Sequence, residues 1–522
     1  MEEWIVQYVG EATEVFADFT GEYDVLLGGF AIVSGDMEEV TSLKNRSGVL
    51  YVEGPQVLEC EQFQEQRAGQ QAICLEDAGL GKGEGVLMAY LDSGIDYRHP
   101  EFRTLEGKTR LVGIYDLSQM PAKEYSQEEI DEALLVSVVD GNRLVPVADV
   151  SGHGTHVAAI GSGNTGVAPQ SEILMVKIAG GLQDESSTPA LMRGVDYCVR
   201  MAMRLRQPMV INISFGNTYG AHDGSSLVEL YLNEMLNYGK LSIVVGAGNE
   251  GDKAGHAKVM LDSDEEKAVE LAIGPYQAPF FLQIWKRFEE EAVIWLRSPS
   301  GEEVPLSEKE RQAVFRVGKV RITVSSLEPT PYMRRQAFLV AFASEESYLS
   351  AGIWKFYMKR RQKRPMQIDL WLPANGQLQE KTEFLEPSPE TTVTIPGTAS
   401  RVITVGAYDA RFGQMASFSG RGYPTFSVEI KPEIVAPGVE VLSASPGGGY
   451  TFRSGTSMAT PFVSGAAALL MEWGIVKGQD VFLYADRLKA FLLRGAQPLP
   501  GNEQYPNPIS GWGRLCIRKS RP

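Results

Sequence analysis

Three short segments, each built from small residues around one reactive side chain, fix what this chain can fold into. They are Ala89-Tyr90-Leu91-Asp92-Ser93-Gly94-Ile95, then Gly152-His153-Gly154-Thr155-His156-Val157-Ala158, then Ser454-Gly455-Thr456-Ser457-Met458-Ala459-Thr460-Pro461. An acid, an imidazole and a serine are the set that acyl transfer by a hydroxyl requires. Serine is a weak nucleophile at its own pKa. A neighbouring imidazole must take its proton, and a buried carboxylate must hold that imidazole in the right tautomer. The run 85–91 is continuously apolar, as a strand covered on both faces is. It predicts Asp92 at the carboxyl end of a parallel strand, the sheet edge where α/β proteins build their sites. Ser457 opens a helical run over 457–471, whose amino-terminal amides and dipole favour developing negative charge.

The imidazole has two candidates, because His153 and His156 stand three apart among five histidines. Gly152 and Gly154 put His153 in the first turn of a helix, where the backbone can approach a neighbour. His156 lies within the buried run 155–160 and reads as a hydrogen-bonded structural histidine. A two-histidine zinc site is the competing reading of the pair. A third ligand or a general-base glutamate at usable spacing does not follow it, so no metal is expected. Structural calcium finds no support in the sequence.

The order Asp, His, Ser and the motifs Asp-Ser-Gly, Gly-His-Gly-Thr-His and Gly-Thr-Ser-Met-Ala-Thr-Pro resemble those of the subtilases, the subtilisin-like serine proteases of family S8. The resemblance implies an α/β fold, a subtilisin-like parallel sheet with helices on both faces. It implies peptide hydrolysis by Asp92, His153 and Ser457, with His153 as the base. In Gly246-Ala247-Gly248-Asn249, the asparagine matches the family's oxyanion-hole donor, with a plain turn residue as the alternative. Ser214-Phe215-Gly216 and Gly246-Ala247-Gly248 match segments that bind substrate, the first as an added strand. An active endopeptidase is one class of function. A non-catalytic binding or germinant-sensing protein on the same fold is the other, and the intact Asp92, His153, Ser457 and Asn249 favour the first.

Within the subtilases the chain is similar to the germination-specific Csp proteases of clostridial spores. The likeness rests on Asn212-Ile213-Ser214-Phe215-Gly216 followed by Gly220-Ala221-His222-Asp223-Gly224-Ser225, on a β-rich insert, on Asp369-Leu370-Trp371-Leu372-Pro373 and on Gly511-Trp512-Gly513. It implies a processing protease that activates a cortex-lytic zymogen, a jelly-roll insert, and a cytoplasmic or spore-associated location. A general intracellular subtilisin is the alternative.

Four blocks follow along the chain. Residues 1–60 alternate strand (4–9), short helix, strand (25–33), helix (37–43) and strand (49–53), a small α+β domain. The resemblance makes it a propeptide that templates folding and then inhibits; a permanent domain is the alternative. The polar segment 61–71 reads as a cleavable linker, with self-cleavage expected between about Val57 and Gln71. Residues 61–252 and 391–522 form the two parts of the catalytic domain. Between them, 253–390 carry short alternating runs broken by turns such as Ser298-Pro299-Ser300-Gly301, the pattern of an inserted antiparallel β-sandwich. The basic run Lys359-Arg360-Arg361-Gln362-Lys363-Arg364 reads as a docking point for an acidic partner or as a solvated turn.

Charge limits the partners. Lys plus Arg is 49 against 66 Asp plus Glu, a net charge of -17, which argues against nucleic acid and anionic membranes. The partners expected are a polypeptide substrate, a protein zymogen among the candidates, and the chain's own propeptide. No run is expected to reach the ~18 apolar residues of a membrane span. The start Met1-Glu2-Glu3-Trp4 is acidic where a secretory signal is basic and then apolar, so no signal peptide is expected. Of the four cysteines, Cys60 and Cys74 can pair, but reduced, buried thiols are the expectation in a chain without an export signal.

Overall fold

The computed structural model describes residues 2–60, 79–179, 185–374, 377–423, 429–501 and 504–522. A nine-stranded sheet forms its centre. Strands Ile403–Asp409, Leu241–Gly246, Met209–Ile213, Leu87–Asp92, Glu172–Lys177 and Leu111–Asp116 lie side by side and parallel, with Ile434–Pro437 parallel to the first. Their aliphatic runs follow from having helices on both faces. Met88, Tyr90, Val210 and Val244 share one apolar cluster with the helices His153–Ser162 and Thr456–Met471. Leu87, Ala89, Leu91, Ile211 and Val245 point the other way, onto helices Thr188–Leu205 and Leu227–Met235. This is the subtilisin-like α/β sheet that the sequence predicts.

One stretch of this core has the length and apolarity of a membrane span. The stretch Thr456–Val476 is helical over 21 residues and holds an 18-residue window with a mean hydropathy of 1.3, long and apolar enough by length and composition to cross a membrane. Its apolarity has another cause: every residue of Thr456–Met471 is buried, as the central helix of an α/β core must be.

Residues 2–53 make a separate antiparallel sheet in the order Glu22–Leu26, Phe30–Gly35, Glu2–Tyr8, Val49–Glu53, with helices Ala12–Val15 and Met37–Leu43. Asp36 and Glu39 cap the second helix reciprocally. The single strand expected over 25–33 is instead a hairpin. Gly28 and Gly29, both at φ 76°, form a tight turn that side-chain-bearing residues rarely adopt.

After Asn249 the chain leaves the central sheet and builds two antiparallel sheets. The six-stranded one includes His256–Leu261, Phe280–Arg287, Arg335–Ser344 and Met366–Trp371; the five-stranded one includes Lys267–Ile273, Ala292–Arg297 and Gly352–Arg360. Alternate residues of both, among them Leu282, Ile322, Val340, Leu271, Leu296 and Phe356, join in one apolar cluster. Cys198 and Cys516 are free and buried. The linker 61–71 and Cys74 lie outside the described residues.

Candidate active site

Asp92 closes the strand Leu87–Asp92, and His153 opens the helix His153–Ser162 across from it. Two glycines make the approach feasible. Gly152 turns the chain into the helix at φ 73°, and a Cβ on Gly154 would stand 2.1 Å from the Gly94 carbonyl oxygen and 3.1 Å from the Asp92 Cβ. The result is a contact of 2.6 Å between His153 Nδ1 and Asp92 Oδ1, with both side chains fully buried. A carboxylate accepts, so Nδ1 carries the hydrogen and Nε2 presents a lone pair. That Nε2 has no hydrogen-bond partner among the described residues.

Ser457 is the second residue of the helix Thr456–Met471, and its Oγ lies 3.4 Å from the Ser214 carbonyl oxygen. Just before it, Thr456 orients Asn249. The Thr456 amide donates to Asn249 Oδ1 at 3.0 Å, its hydroxyl reaches the same oxygen at 3.2 Å, and the Gly248 amide donates to that hydroxyl at 3.1 Å. With Oδ1 held, Nδ2 turns away; it is buried and has no partner among the described residues. Buried polar atoms are nearly always paired, so an orphaned donor and an orphaned acceptor in one site call for a ligand. Thr456 was not singled out from the sequence, although it stands between two residues that were.

The second histidine has a different task. His156 Nε2 faces the carbonyl oxygens of Val441 and Thr451 at 3.1 and 3.2 Å, and burial pushes its pKa down to about 3. It ties its helix to the hairpin of Val441–Ser445 and Gly449–Arg453.

The substrate-binding segments are also placed. Phe215–Gly216 pairs antiparallel with Val57–Cys60, Phe215 opposite Cys60 and Gly216 opposite Glu59. Ser186–Ser187 pairs with the other edge of the same strand, Ser186 opposite Leu58. The chain's own segment is therefore the middle strand of a three-stranded groove, with Leu58 fully buried. Asn217 Nδ2 adds a bond to the Val57 carbonyl oxygen at 2.9 Å. Gly246 is paired with Val405 in the sheet, and the Ala247 amide donates to the Val405 carbonyl oxygen at 2.9 Å. Gly248, at φ 87°, lies so close to Thr394 that a Cβ would stand 2.4 Å from its Cγ2. Ser186–Ser187 escaped the sequence reading because pairing through the backbone makes no demand on side-chain type.

Residues 83–351 and 374–513 match the subtilase family. The solved CspB protease of Clostridium perfringens is similar at 37% identity and a TM-score of 0.80, over 85% of this chain and 94% of that one. The C5a peptidase of Streptococcus pyogenes serotype M18 is 24% identical over 75% of this chain and 36% of its own length. The major intracellular serine protease of Bacillus subtilis strain 168 is 29% identical over 33% of this chain and 45% of its own. The chain thus spans less than half the length of these two curated relatives. With the family match running through most of its residues, the chain belongs to the subtilase family of serine proteases.

Proposed function

We propose that the protein is a serine endopeptidase acting through Asp92, His153 and Ser457. The observation that carries this reading is the buried 2.6 Å contact between His153 Nδ1 and Asp92 Oδ1, which leaves Nε2 free. Asp92 fixes the tautomer and stabilises the imidazolium. His153 Nε2 takes the Ser457 proton as Oγ attacks the scissile carbonyl carbon. Asn249 Nδ2 and the amino terminus of the nucleophile helix hold the resulting oxyanion, a contact whose loss costs ~100- to 1,000-fold in turnover in related chemistry. The imidazolium then protonates the leaving amine, and water repeats the sequence to free the acid. Extended substrate binds between Ser186–Ser187 and Phe215–Gly216 by backbone pairing.

Residues 1–60 act in this reading as a propeptide. The pairing of Val57–Cys60 in the groove supports it, because its antiparallel register runs toward Ser214 and so toward Ser457. Self-cleavage then falls between about Val57 and Gln71. The two antiparallel sheets at 253–390 are the inserted β-sandwich of jelly-roll type. The likeness to CspB supports a processing role, activation of a cortex-lytic zymogen.

Intact mass and a fluorophosphonate probe test the proposal together. The wild-type protein should appear as two fragments with the probe on Ser457, and Ser457→Ala as one unlabelled full-length chain. Cleavage of Ser457→Ala at the same bond, or a wild-type protein that refuses the probe, overturns it.

A further inference from the structure

Asp149, four residues before His153, is a carboxylate that the chemistry above does not use. It is 6% exposed and accepts four hydrogen bonds. Oδ1 takes the Ser93 hydroxyl at 2.8 Å and the Gly152 amide at 3.0 Å. Oδ2 takes the Thr155 amide at 2.7 Å and the Thr155 hydroxyl at 2.6 Å. Both hydroxyls are themselves acceptors: Ser93 Oγ receives the Gly154 amide at 3.0 Å, and Thr155 Oγ1 receives the Asp96 amide at 2.8 Å. Ser93 Oγ also lies 3.3 Å from Asp92 Oδ1, but its shorter contact is the one to Asp149. The Gly152 and Thr155 amides give each Asp149 oxygen a donor that cannot reverse, and the two hydroxyls add to them, so this geometry favours the charged form. Burial holds the Asp149 carboxyl above the ordinary carboxylate range, with the Asp92 charge adding to it, while the bonds from Thr155 and Ser93 pull the other way.

These contacts reach both halves of the Asp92–His153 pair. Ser93 follows Asp92 and donates its own amide to Asp92 Oδ1 at 2.8 Å. Gly152 and Gly154 flank His153. One carboxylate thus ties the strand end that carries Asp92 to the helical turn that carries His153.

We infer that Asp149 is a positioning residue for the reaction, an inference that rests on the endopeptidase reading. It fixes the imidazole against Asp92, and its charge beside the pair favours the imidazolium. The other charged and titratable groups around His153 are Asp92 and Lys177 at adjacent strand ends, His156 on its own helix, and Arg453 from the hairpin, which donates to the Ser151 carbonyl. His156 stays neutral over the working range and Lys177 donates to the Ala148 carbonyl, so substitution at Asp149 isolates one charge.

Asp149→Asn keeps the shape and removes the charge together with part of the acceptor capacity. It should lower kcat about tenfold to a hundredfold with KM within about twofold. The acid limb of kcat/KM should move about half a unit to one unit lower in pH. The same shift should appear in the NMR titration of His153 in a Ser457→Ala background, which needs no peptidase activity. An inactive wild-type protein would sink the endopeptidase reading and leave this titration to decide the role of Asp149. An unmoved His153 titration overturns the inference even where kcat falls, because a loosened fold would slow the reaction without changing that proton equilibrium. If Asp149→Asn does not fold, Ser93→Ala removes the hydroxyl shared by Asp149 and Gly154, which also lies 3.3 Å from Asp92 Oδ1. It should cost about threefold or more in kcat at constant KM, and undiminished turnover overturns the inference.

Discussion

The central sheet carries two attached units, and they are docked by different chemistry. Residues 2–60 meet it through ion pairs that keep contact with water together with buried groups. Arg193 pairs with Glu3 and Asp24 at 2.7 Å each, the Leu27 amide donates to Asp196, and Glu53 faces the Leu227 amide. An apolar patch of Ile5, Phe30, Ile32 and Leu58 adds to these. The unit built from 253–390 is docked through a buried aromatic stack. Trp371 lies between His222 and His256 at centroid distances of 4.4 and 4.8 Å, nearly parallel to both, and Tyr219 stacks on Phe281 at 4.3 Å. Arg335 bridges Asp369 and the Ala221 carbonyl beneath them. Salt-sensitive pairs and one edge strand suit a unit that is cut free, as proposed for residues 2–60; a desolvated stack suits one that stays.

The largest effect expected is in the docking of residues 253–390. Trp371 is 1% exposed and donates from Nε1 to the Thr391 carbonyl oxygen at 3.1 Å. Trp371→Ala should cost about 3–5 kcal/mol in denaturant unfolding, the range for large aromatic deletions in a core. It should also split one unfolding transition into two, as the sheets of 253–390 lose their hold on the central one. A single transition with a loss under about 1 kcal/mol would show that the stack is incidental.

The next effect is a pH dependence in the docking of residues 2–60. Burial pushes the Glu53 carboxyl up to about 7 from 4.5, although the Leu227 amide pulls it down; buried Glu229 nearby pushes it further. Glu53 thus binds its proton more tightly docked than free. Its contribution favours docking at low pH, weakens as pH rises from about 4.5 to about 7, and is constant above. For the Ser457→Ala chain, unfolding of residues 2–60 should become easier by on the order of 1–2 kcal/mol across that window. Glu53→Gln should flatten the dependence, measured by thermal melts at successive pH values. A slope unchanged in Glu53→Gln would assign it to other carboxyls.

The sequence was readable where chemistry dictates residue type. Asp92, His153, Asn249 and Ser457 stand out because a strand end, a glycine-bounded first turn and a helix start each have few acceptable neighbours. The structure sets the first two in contact and Asn249 beside Thr456. The hairpin at Gly28-Gly29 was read as one strand because its flanks are continuously apolar and two glycines alone mark the turn. Ser186–Ser187 was invisible because only its backbone pairs. The nucleophile helix, expected over 457–471, spans Thr456–Met471, and its Gly, Ser and Thr residues are the small ones that packing against the central sheet needs. The docking stack joins His222 and Trp371 from motifs far apart in the chain to His256, and that proximity is tertiary.

The smallest effect expected is at Arg193, and it bears most directly on the contrast between the two units. Its guanidinium holds Glu3 through Nη1 and Asp24 through Nε, so it bridges two strands of residues 2–60 from the helix Thr188–Leu205. All three side chains remain in contact with water, at 20%, 35% and 59% exposure. Exposed pairs of this kind contribute ~0–1 kcal/mol and are screened by salt. Arg193→Ala should therefore destabilise the docked unit by about 0.5–1 kcal/mol at low ionic strength and by much less near 1 M salt. Trp371→Ala should respond little to salt, because its contacts are desolvated. Hydrogen exchange on the strands Glu2–Tyr8 and Glu22–Leu26 reads the first effect directly. If Arg193→Ala proves as costly and as salt-independent as Trp371→Ala, the two units are held in the same way, and the distinction between one built to leave and one built to stay fails.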